Sequence, residues 1–110
     1  MALPVSILDS AKFDFKAIHK KVVEKFGNDV WNNIKIKYQE AFKNIGEFPL
    51  KGSIPTEIEA LGMTNIRQVL LNQTRIIYQI TDTTIYIHML VDTKQDFQQV
   101  LYDRALRKIR

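Results

Sequence analysis

Three short, largely apolar runs stand close together in the second half of the chain. They are Ile66–Leu71, Thr74–Thr81 and Thr84–Val91, and their β-branched and aromatic residues favour strands. Only two residues separate each run from the next, and such short connections join antiparallel neighbours. The pattern predicts a three-stranded antiparallel meander with turns at Asn72-Gln73 and Asp82-Thr83.

Two-residue turns also predict the register of this meander. Counting outward gives the pairs Leu70–Arg75, Val69–Ile76, Arg67–Tyr78, Ile80–Ile85, Tyr78–Ile87, Ile76–Met89 and Ile77–His88. One face is then apolar and is expected to form a core; it carries Val69, Ile76, Tyr78, Ile80, Ile85, Ile87, Met89 and Val91. The other face is mixed, with Gln68, Arg75, Gln79, Tyr86 and His88 among Ile66, Leu70, Ile77 and Leu90. A slip of one residue exchanges the two sets, so their contrast supports the register.

The first half of the chain predicts one strand and a helical hairpin. Ala2–Leu8 reads as a strand, with Pro4 at an edge or at the strand start. Apolar residues at helical spacing then form two stripes, Phe15, Ile18, Val22 and Phe26, followed by Trp31, Ile34, Tyr38, Ala41, Phe42 and Ile45. Asp9 or Ser10 is the expected cap of the first helix, and Asn28 or Asp29 that of the second. Gly27 is the expected left-handed stop between them, so the helices fold back as an antiparallel pair.

A loop and two further helices complete the predicted fold, which is α+β. Gly46–Pro55 is rich in glycine and proline, and Phe48 and Leu50 are expected to hold this loop to the core. Thr56 and Glu59 form a capping box for one helical turn that ends at Gly62. The last helix is expected to begin near Asp92 or Thr93, with Phe97, Leu101, Ala105 and Ile109 on one side.

Composition places this fold in one domain spanning residues 1–110. There is no cysteine, which excludes disulfides and thiolate metal sites, and two distant histidines argue against zinc. We therefore expect no metal and no cofactor. The sequence shows neither a signal peptide nor an apolar run of membrane-spanning length, so a cytoplasmic protein without membrane contact is expected.

Positive charge is distributed unevenly along the chain. The net charge is +4, but all five arginines lie at or beyond position 67: Arg67, Arg75, Arg104, Arg107 and Arg110. The planar arginine fork suits phosphate and carboxylate better than lysine does. The segment from residue 66 to 110 is thus expected to meet an anionic or acidic partner, although five arginines can also cluster by chance.

The ordered set of elements resembles the RelE/ParE family of bacterial toxins from type II toxin–antitoxin modules, which includes ParE-like plasmid stabilization proteins. The local matches are Phe48-Pro49-Leu50-x-Gly52, the pair Arg67 and Arg75, the strand Arg75–Ile80, the strand Ile85–His88, and the tail Leu101–Arg107. The resemblance implies a strand, an antiparallel helical hairpin, a three-stranded meander and a C-terminal helix. It also implies a cognate antitoxin as partner, and leaves open a homodimer or a hetero-oligomer with the antitoxin.

The family has two known activities. RelE-type members cleave mRNA on the ribosome through the RNA 2′-hydroxyl, with lysine, arginine and usually tyrosine or histidine. ParE-type members bind DNA gyrase. Here Leu70 stands where RelE-type chains tend to carry arginine, Asp92–Asp96 holds one lysine and two acids, and Val100 falls near the RelE-type tyrosine position. These departures favour the gyrase-binding branch over the ribonuclease, with an inactive antitoxin-binding relative as a third reading.

Individual residues receive expected roles on this basis. Target binding is assigned to Arg75, Lys94, Arg104, Arg107, Lys108 and Arg110. Antitoxin binding is assigned to Gln68, Gln79, Tyr86 and His88. No catalytic residue is assigned with gyrase as the target; a ribonuclease would use Arg75, His88, Lys94 and Tyr86, or Tyr102 in place of Tyr86. His88 is more simply a partly buried, hydrogen-bonded side chain, and His19 a solvated one. Arg67 is expected on the core face, paired with Glu57 or Glu59.

Overall fold

The structure, a computed structural model, describes the backbone of residues 2–109 and the side chains of residues 2–104. Its elements confirm the predicted α+β order. They are β1 (Val5–Ile7), α1 (Asp9–Phe26), α2 (Asn28–Glu47), a 3₁₀ turn (Pro49–Lys51), α3 (Thr56–Glu59), β2 (Ile66–Leu71), β3 (Thr74–Ile80), β4 (Ile85–Asp92) and α4 (Phe97–Ile109).

The four strands form one sheet in the order β1-β4-β3-β2. The predicted meander is confirmed, since β2 pairs with β3 and β3 with β4, both antiparallel. Asn72 adopts a φ of 55° in the first turn, a left-handed conformation that asparagine tolerates. The first strand is shorter than predicted and lies parallel to β4, with Ser6 opposite Tyr86. β2 and β1 are therefore the two edges of the sheet.

The predicted register is confirmed on one side of a β-bulge and wrong on the other. Leu70–Arg75, Ile80–Ile85 and Tyr78–Ile87 pair as expected. The register then shifts, so that Ile77 pairs with Met89 instead of His88, and Ile76 with Leu90 instead of Met89. His88 is the extra residue of the bulge. Because one added residue reverses every later side chain, Leu90 faces the helical hairpin, while Met89 and Val91 face the opposite side.

The bulge divides the apolar residues between two cores. The larger core lies between the sheet and the helical hairpin, and its buried members are Ala11, Tyr38, Ile45, Ile76, Tyr78, Ile85, Ile87 and Leu90. The smaller core lies on the opposite face under α3 and α4, and its buried members are Ile58, Ile77, Met89, Val91 and Phe97. The second helical stripe is confirmed as core, since Trp31 and Tyr38 are 6% and 3% exposed. In the first stripe Phe15 and Ile18 pack against this core, but Phe26 is 62% exposed. The mixed sheet face is thus covered by elements of the chain itself.

The predicted capping interactions at the ends of the helices are mostly not formed. None of the expected caps of α1 and α2 makes a side-chain cap bond. Gly27 does separate the two helices with a φ of 88°, but its ψ of 174° is extended and not left-handed helical. At α3, Pro55 precedes the helix and Thr56 bonds to Glu57, so the capping box is wrong. Gly62 follows with a φ of 73°, as expected for a helix stop.

Two segments of the second half also depart from prediction. β4 continues to Asp92, and α4 begins only at Phe97, so residues 93–96 form a loop where the helix was expected to start. The Asp96 side chain accepts a hydrogen bond from the Gln99 N–H and thus caps α4. Phe48 and Leu50 are 60% and 70% exposed, so they do not hold their loop to the core.

Candidate functional site

The sheet face opposite the helical hairpin, called here the outer face, carries most of the side chains with expected functions. Paired residues of neighbouring strands point to the same side of a sheet. Gln68 on β2, Arg75 and Gln79 on β3 and Tyr86 on β4 therefore share this face, and His88 reaches it from the bulge. All five side chains are half-buried. The face is partly covered by α3 and α4, which leaves two separate polar clusters on it.

Arg75 is the centre of the first cluster. Its guanidinium donates to both carboxylate oxygens of Glu57 on α3, with Nη2–Oε1 and Nη1–Oε2 distances of 3.1 and 3.3 Å. Nε donates to Gln68 Oε1 at 2.7 Å, and the Phe97 ring of α4 lies 4.7 Å from Cζ. This cation–π contact and the two-pronged ion pair use most of the donor fork. Arg75 therefore joins β2, α3 and α4, with a side chain only 14% exposed.

Arg75 changes the pKa of its partner Glu57. The hydrogen bond from Arg75 lowers the pKa of the Glu57 carboxyl below its ordinary value, against a smaller opposing effect of burial. Glu57 was expected as one possible partner of Arg67, and this expectation is wrong. The two arginines point to opposite faces of the sheet, and Glu57 lies on the outer one with Arg75.

The second cluster lies at the other end of the outer face. His88 Nε2 is 2.8 Å from Gln79 Oε1, which confirms a hydrogen-bonded, half-buried histidine. Tyr86 pairs with Gln79 on one side and with Ser6 of β1 on the other. Ser6, Tyr86, Gln79 and Ile66 therefore form a row across all four strands. The row presents hydroxyl and amide groups for hydrogen bonding.

The residues named for a ribonuclease are not all brought together: Tyr86 and His88 share the second cluster, but Arg75 and Lys94 lie elsewhere. Arg75 and Gln79 are four residues apart on β3, about 13 Å along the strand. The buried Ile77 and Met89 lie between the two clusters. Lys94 sits in the loop before α4 and lines a cavity of about 490 Å³ that also touches α1. Thr74 and Leu90, which face the helical hairpin, line the same cavity, so Lys94 lies away from His88 and Tyr86.

Arg104, expected in a free basic end, is held against α1. Its Nη2 donates to Asp14 Oδ1 at 2.6 Å, and the two side chains are 21% and 11% exposed. Asp14 Oδ2 also accepts from the Leu90 N–H of β4 at 3.0 Å. Nearby, Ser10 Oγ donates to the His88 carbonyl at 2.6 Å. Polar side chains of α1 thus continue the edge of β4 beyond the last residue of β1.

Arg67 is structural, as expected, but its partners are carbonyl groups and not a carboxylate. Nη1 donates to the Gly52 oxygen at 2.8 Å and to the Leu50 oxygen at 3.2 Å. The neighbouring Tyr78 hydroxyl donates to the Pro49 oxygen at 2.6 Å. Burial raises the pKa of this tyrosine above its ordinary value. Side chains from two paired strands therefore hold the loop that Phe48 and Leu50 were expected to hold.

Three residues with an expected role in target binding lie outside the part of the chain whose side chains are described. They are Arg107, Lys108 and Arg110. Among the described residues, no group of three or more histidines, cysteines or carboxylates could hold a metal ion. Within the same part of the chain, no helix is long and apolar enough to cross a membrane.

Sequence reasoning missed two features of the site: the role of Asp14, and the close packing of Gly52 against the Tyr78 hydroxyl. The clue to the latter was present, because Pro49, Gly52 and Tyr78 all belong to the stretches that carry the family resemblance. Asp14 gives no comparable clue, since its partners Leu90 and Arg104 are distant in sequence.

Comparison with known proteins agrees with this architecture. The model of the family described as "ParE toxin of type II toxin-antitoxin system, parDE" matches residues 5–97, and its match ends at the first residue of α4. A solved chain of the chromosomal ParDE toxin–antitoxin system from P. aeruginosa superposes with a TM-score of 0.68 at 16% identity, covering 83% of this chain and 96% of that chain.

A second solved chain comes from the RelBE2 toxin–antitoxin complex of Mycobacterium tuberculosis. It superposes with a TM-score of 0.57 at 16% identity, covering 84% of this chain and 99% of that chain. These structural likenesses show the shared fold. No curated protein matches the sequence. Since the toxin model spans well over half of the 110 residues, the chain belongs to the ParE toxin family of type II toxin–antitoxin systems.

Proposed function

We propose that this ParE-family chain stops bacterial growth by binding DNA gyrase, without chemistry of its own, and that a cognate antitoxin neutralises it. The main support for the proposal is that the Arg75 guanidinium is already hydrogen-bonded within the protein. A ribonuclease of the related type needs cations placed against the charge that develops on the phosphorus oxygens. Arg75 instead donates to Glu57 and Gln68, and the other candidate groups lie in a separate cluster or beside another cavity.

The antitoxin part of the proposal rests on the relatives and on the outer face. Both solved relatives are described as parts of toxin–antitoxin systems or complexes. Gln79, Tyr86 and His88 form the second cluster of the outer face, where their side chains are half-buried, and we assign them to antitoxin contact. Gln68 is engaged with Arg75, so its role there is to keep the guanidinium in place. The complex is a hetero-oligomer of toxin and antitoxin.

The target-binding surface is proposed at the loop before α4 and at the end of that helix. Lys94 is exposed, and Arg107, Lys108 and Arg110 supply further positive charge in sequence. Arg75 and Arg104 contribute indirectly, because the cation–π contact of Arg75 with Phe97 holds α4 to the sheet, and the ion pair of Arg104 with Asp14 holds α4 to α1. Gyrase acts on DNA in the bacterial cytoplasm, so the proposal implies a cytoplasmic protein. Through growth arrest after antitoxin loss it also implies plasmid stabilization.

Purified toxin, gyrase and relaxed plasmid test the target directly. We expect loss of supercoiling and accumulation of linear plasmid, while reporter mRNA in a translation extract stays intact. Ribosome-dependent cuts in the mRNA with unchanged supercoiling would overturn the proposal in favour of an endonuclease. Normal growth on expression of the chain alone, with neither effect in vitro, would identify an inactive antitoxin-binding relative.

A matched pair of variants tests the proposed surface. Replacing Arg107, Lys108 and Arg110 with glutamine removes three positive charges from the last four residues of the sequence. Replacing Lys20, Lys25 and Lys43 with glutamine removes the same charge from exposed positions of α1 and α2. We expect the first variant to lose gyrase inhibition and the second to keep it. Equal loss in both would assign the effect to net charge alone.

A further inference from the structure

β2 is one of the two edge strands of the sheet, and the chain itself covers only part of its free side. The Ser53 N–H donates to the Gln68 oxygen at 3.1 Å, and the Gln68 N–H donates to the Ser53 oxygen at 2.7 Å. Successive residues of an antiparallel strand turn their backbone groups to alternate sides, so the N–H and carbonyl of Leu70 point the same way as those of Gln68. Among the described residues, no backbone group pairs with Leu70 on that side. The end of β2 next to the turn is therefore an open sheet edge.

This open edge lacks the features that keep edge strands from pairing with another chain. Such strands are very short, or they carry prolines, lysines or bulges. β1, the opposite edge, has only three residues and follows Pro4. Val69, Leu70 and Leu71 are all apolar, and Leu70 is 60% exposed. The end of β2 thus offers a strand partner two backbone groups and an exposed apolar side chain.

The surface beside the open edge combines apolar area with charges of both signs. Phe48, which is 60% exposed, lines a groove of about 580 Å³ between α2 and β2 together with Leu70. Lys37 and Glu40 line the same groove, one helical turn apart on α2, and both are exposed. The two ion pairs between described side chains both use arginine, so neither involves Lys37 or Glu40. Since the groove carries both signs of charge, its charges are able to complement those of an identical groove.

We propose that two copies of this chain associate through the open end of β2 and the groove beside it, around a twofold axis. A twofold axis brings the same patch of both copies together and makes the two β2 strands antiparallel, which joins two four-stranded sheets into one. The Leu70 N–H and oxygen pair with β2 of the second copy. Phe48 packs against the groove of the second copy, and Lys37 lies opposite Glu40 of that copy. Because Ser53 occupies the edge at Gln68, the strand pairing is short and the groove contacts supply most of the association.

Sedimentation velocity of the purified chain, without antitoxin, tests the association over a range of protein concentrations. We expect a monomer–dimer equilibrium with a dissociation constant in the micromolar range, as small interfaces give. Leu70→Lys places a charge on the edge and should weaken the dimer at least about tenfold. Leu61→Lys is the matched control, because Leu61 is 68% exposed in the turn after α3, and should leave the dimer unchanged. A monomer at all concentrations, or equal weakening in both variants, would overturn the proposal.

Exchanging the two groove charges tests whether the patch meets itself. Lys37→Glu leaves only negative charge at these two positions, so two copies repel each other and the dimer should weaken. Lys37→Glu with Glu40→Lys restores one charge of each sign in reversed order and should recover the dimer. Both positions are exposed, so both variants are expected to fold. A double variant that dimerises no better than the single one would contradict the twofold arrangement.

Cysteine cross-linking locates the contact, since the natural chain has no cysteine. Gln73→Cys places a thiol in the turn next to the open edge, and Thr83→Cys places one in the other turn of the meander; both positions are exposed. With a short bismaleimide we expect covalent dimers of the Gln73 variant and few of the Thr83 variant. Equal cross-linking of the two variants would show random collision and sink the proposed interface.

The antitoxin is the competing occupant of this edge. The proposal assigns the edge to a second copy, so Leu70→Lys should keep its affinity for the antitoxin. If Leu70→Lys loses that affinity and the unaltered chain is monomeric, the edge belongs to the antitoxin and the proposal fails. The association involves neither gyrase nor growth arrest, so a monomeric chain that still inhibits gyrase would leave the proposed function standing.

Discussion

Asp14 and Arg104 are ninety residues apart in sequence and form an ion pair with an Oδ1–Nη2 distance of 2.6 Å. The other oxygen of the same carboxylate accepts from the Leu90 N–H. One side chain of α1 therefore satisfies the edge of β4, where β1 no longer pairs, and ties α4 to the rest of the molecule. Both ionic groups are largely buried, so removing either partner leaves the other charge buried and uncompensated.

We predict that Asp14→Ala lowers the free energy of unfolding by about 1–3 kcal/mol, because it removes the partner of a buried N–H and of a buried guanidinium. Asp14→Asn keeps an oxygen for Leu90 and should cost less. Urea unfolding measures both, with Glu24→Gln as a control that removes an exposed carboxylate from the same helix. Equal costs for Asn and Ala would show that the Leu90 hydrogen bond contributes nothing.

Gly52 is predicted to be required by its contact with Tyr78. A Cβ atom at Gly52 would collide with the Tyr78 hydroxyl and lie 2.8 Å from the Gln68 oxygen. Gly52→Ala should therefore destabilise by about 1–3 kcal/mol, and Tyr78→Phe by about 0.5–1.5 kcal/mol through the lost bond to Pro49.

The double variant tests the contact itself. Removing the hydroxyl relieves its part of the collision and leaves the contacts with the Gln68 oxygen and Tyr78 Cζ. Gly52→Ala with Tyr78→Phe should therefore cost less than the sum of the two single changes. Denaturant unfolding of all four proteins measures this coupling. Strict additivity would mean that the Tyr78 hydroxyl does not contribute to the cost of a side chain at Gly52.

The Glu57–Arg75 pair predicts a pH dependence of stability. The pKa of Glu57 is lowered in the folded state from an ordinary value of 4.5, chiefly by the Arg75 hydrogen bond. The contribution is therefore fully present above pH 4.5 and is lost as the pH falls through the lowered pKa. Unfolding free energies of the wild type and of Glu57→Gln should converge with acidification over that range. A constant difference between them would contradict the prediction.

Two buried tyrosines predict the opposite dependence in alkali. Burial raises the pKa of Tyr38 above 10.0, against a smaller effect of its bond to Thr74, and burial also raises that of Tyr78. Stability from both is present below pH 10.0 and is lost as the pH rises through the raised values, because the unfolded chain releases these protons first. In Tyr38→Phe, tyrosinate absorbance should lose amplitude above pH 10.0 and not around it. Loss of amplitude centred at the ordinary value of 10.0 would exclude a raised pKa for Tyr38.

Much of the fold could be predicted because it depends on local patterns. The strands of the meander, the first turn and the helical stripes follow from periods of two and 3.6 residues. The bulge at His88 does not follow, although three consecutive apolar residues, Met89-Leu90-Val91, do break the alternation there. The two-residue period of a strand does not predict which of these three side chains faces the helical hairpin. That depends on how the hairpin and α4 cover the two sides of β4.

The candidate site was predicted less completely for a related reason. Placing Arg75, Gln79 and Tyr86 on one face needed only register, and this placement is confirmed. The ion pairs of Arg75 and Arg104 depend on carboxylates from α3 and α1. These carboxylates are distant from the arginines in sequence, so no local pattern predicts the pairs. The expected pairing of Glu57 with Arg67 failed because the strand sends the two arginines to opposite faces.

The amino-acid sequence by itself determined the elements, their order and the pairing of β2 with β3, because hydrophobic periodicity and turn length act over a few residues. Only the tertiary structure decided which face Leu90 and Met89 occupy, and that Arg75 and Arg104 are held in ion pairs. These outcomes depend on contacts between segments far apart in the chain, and their free energy exists only once the helices and the sheet have packed together.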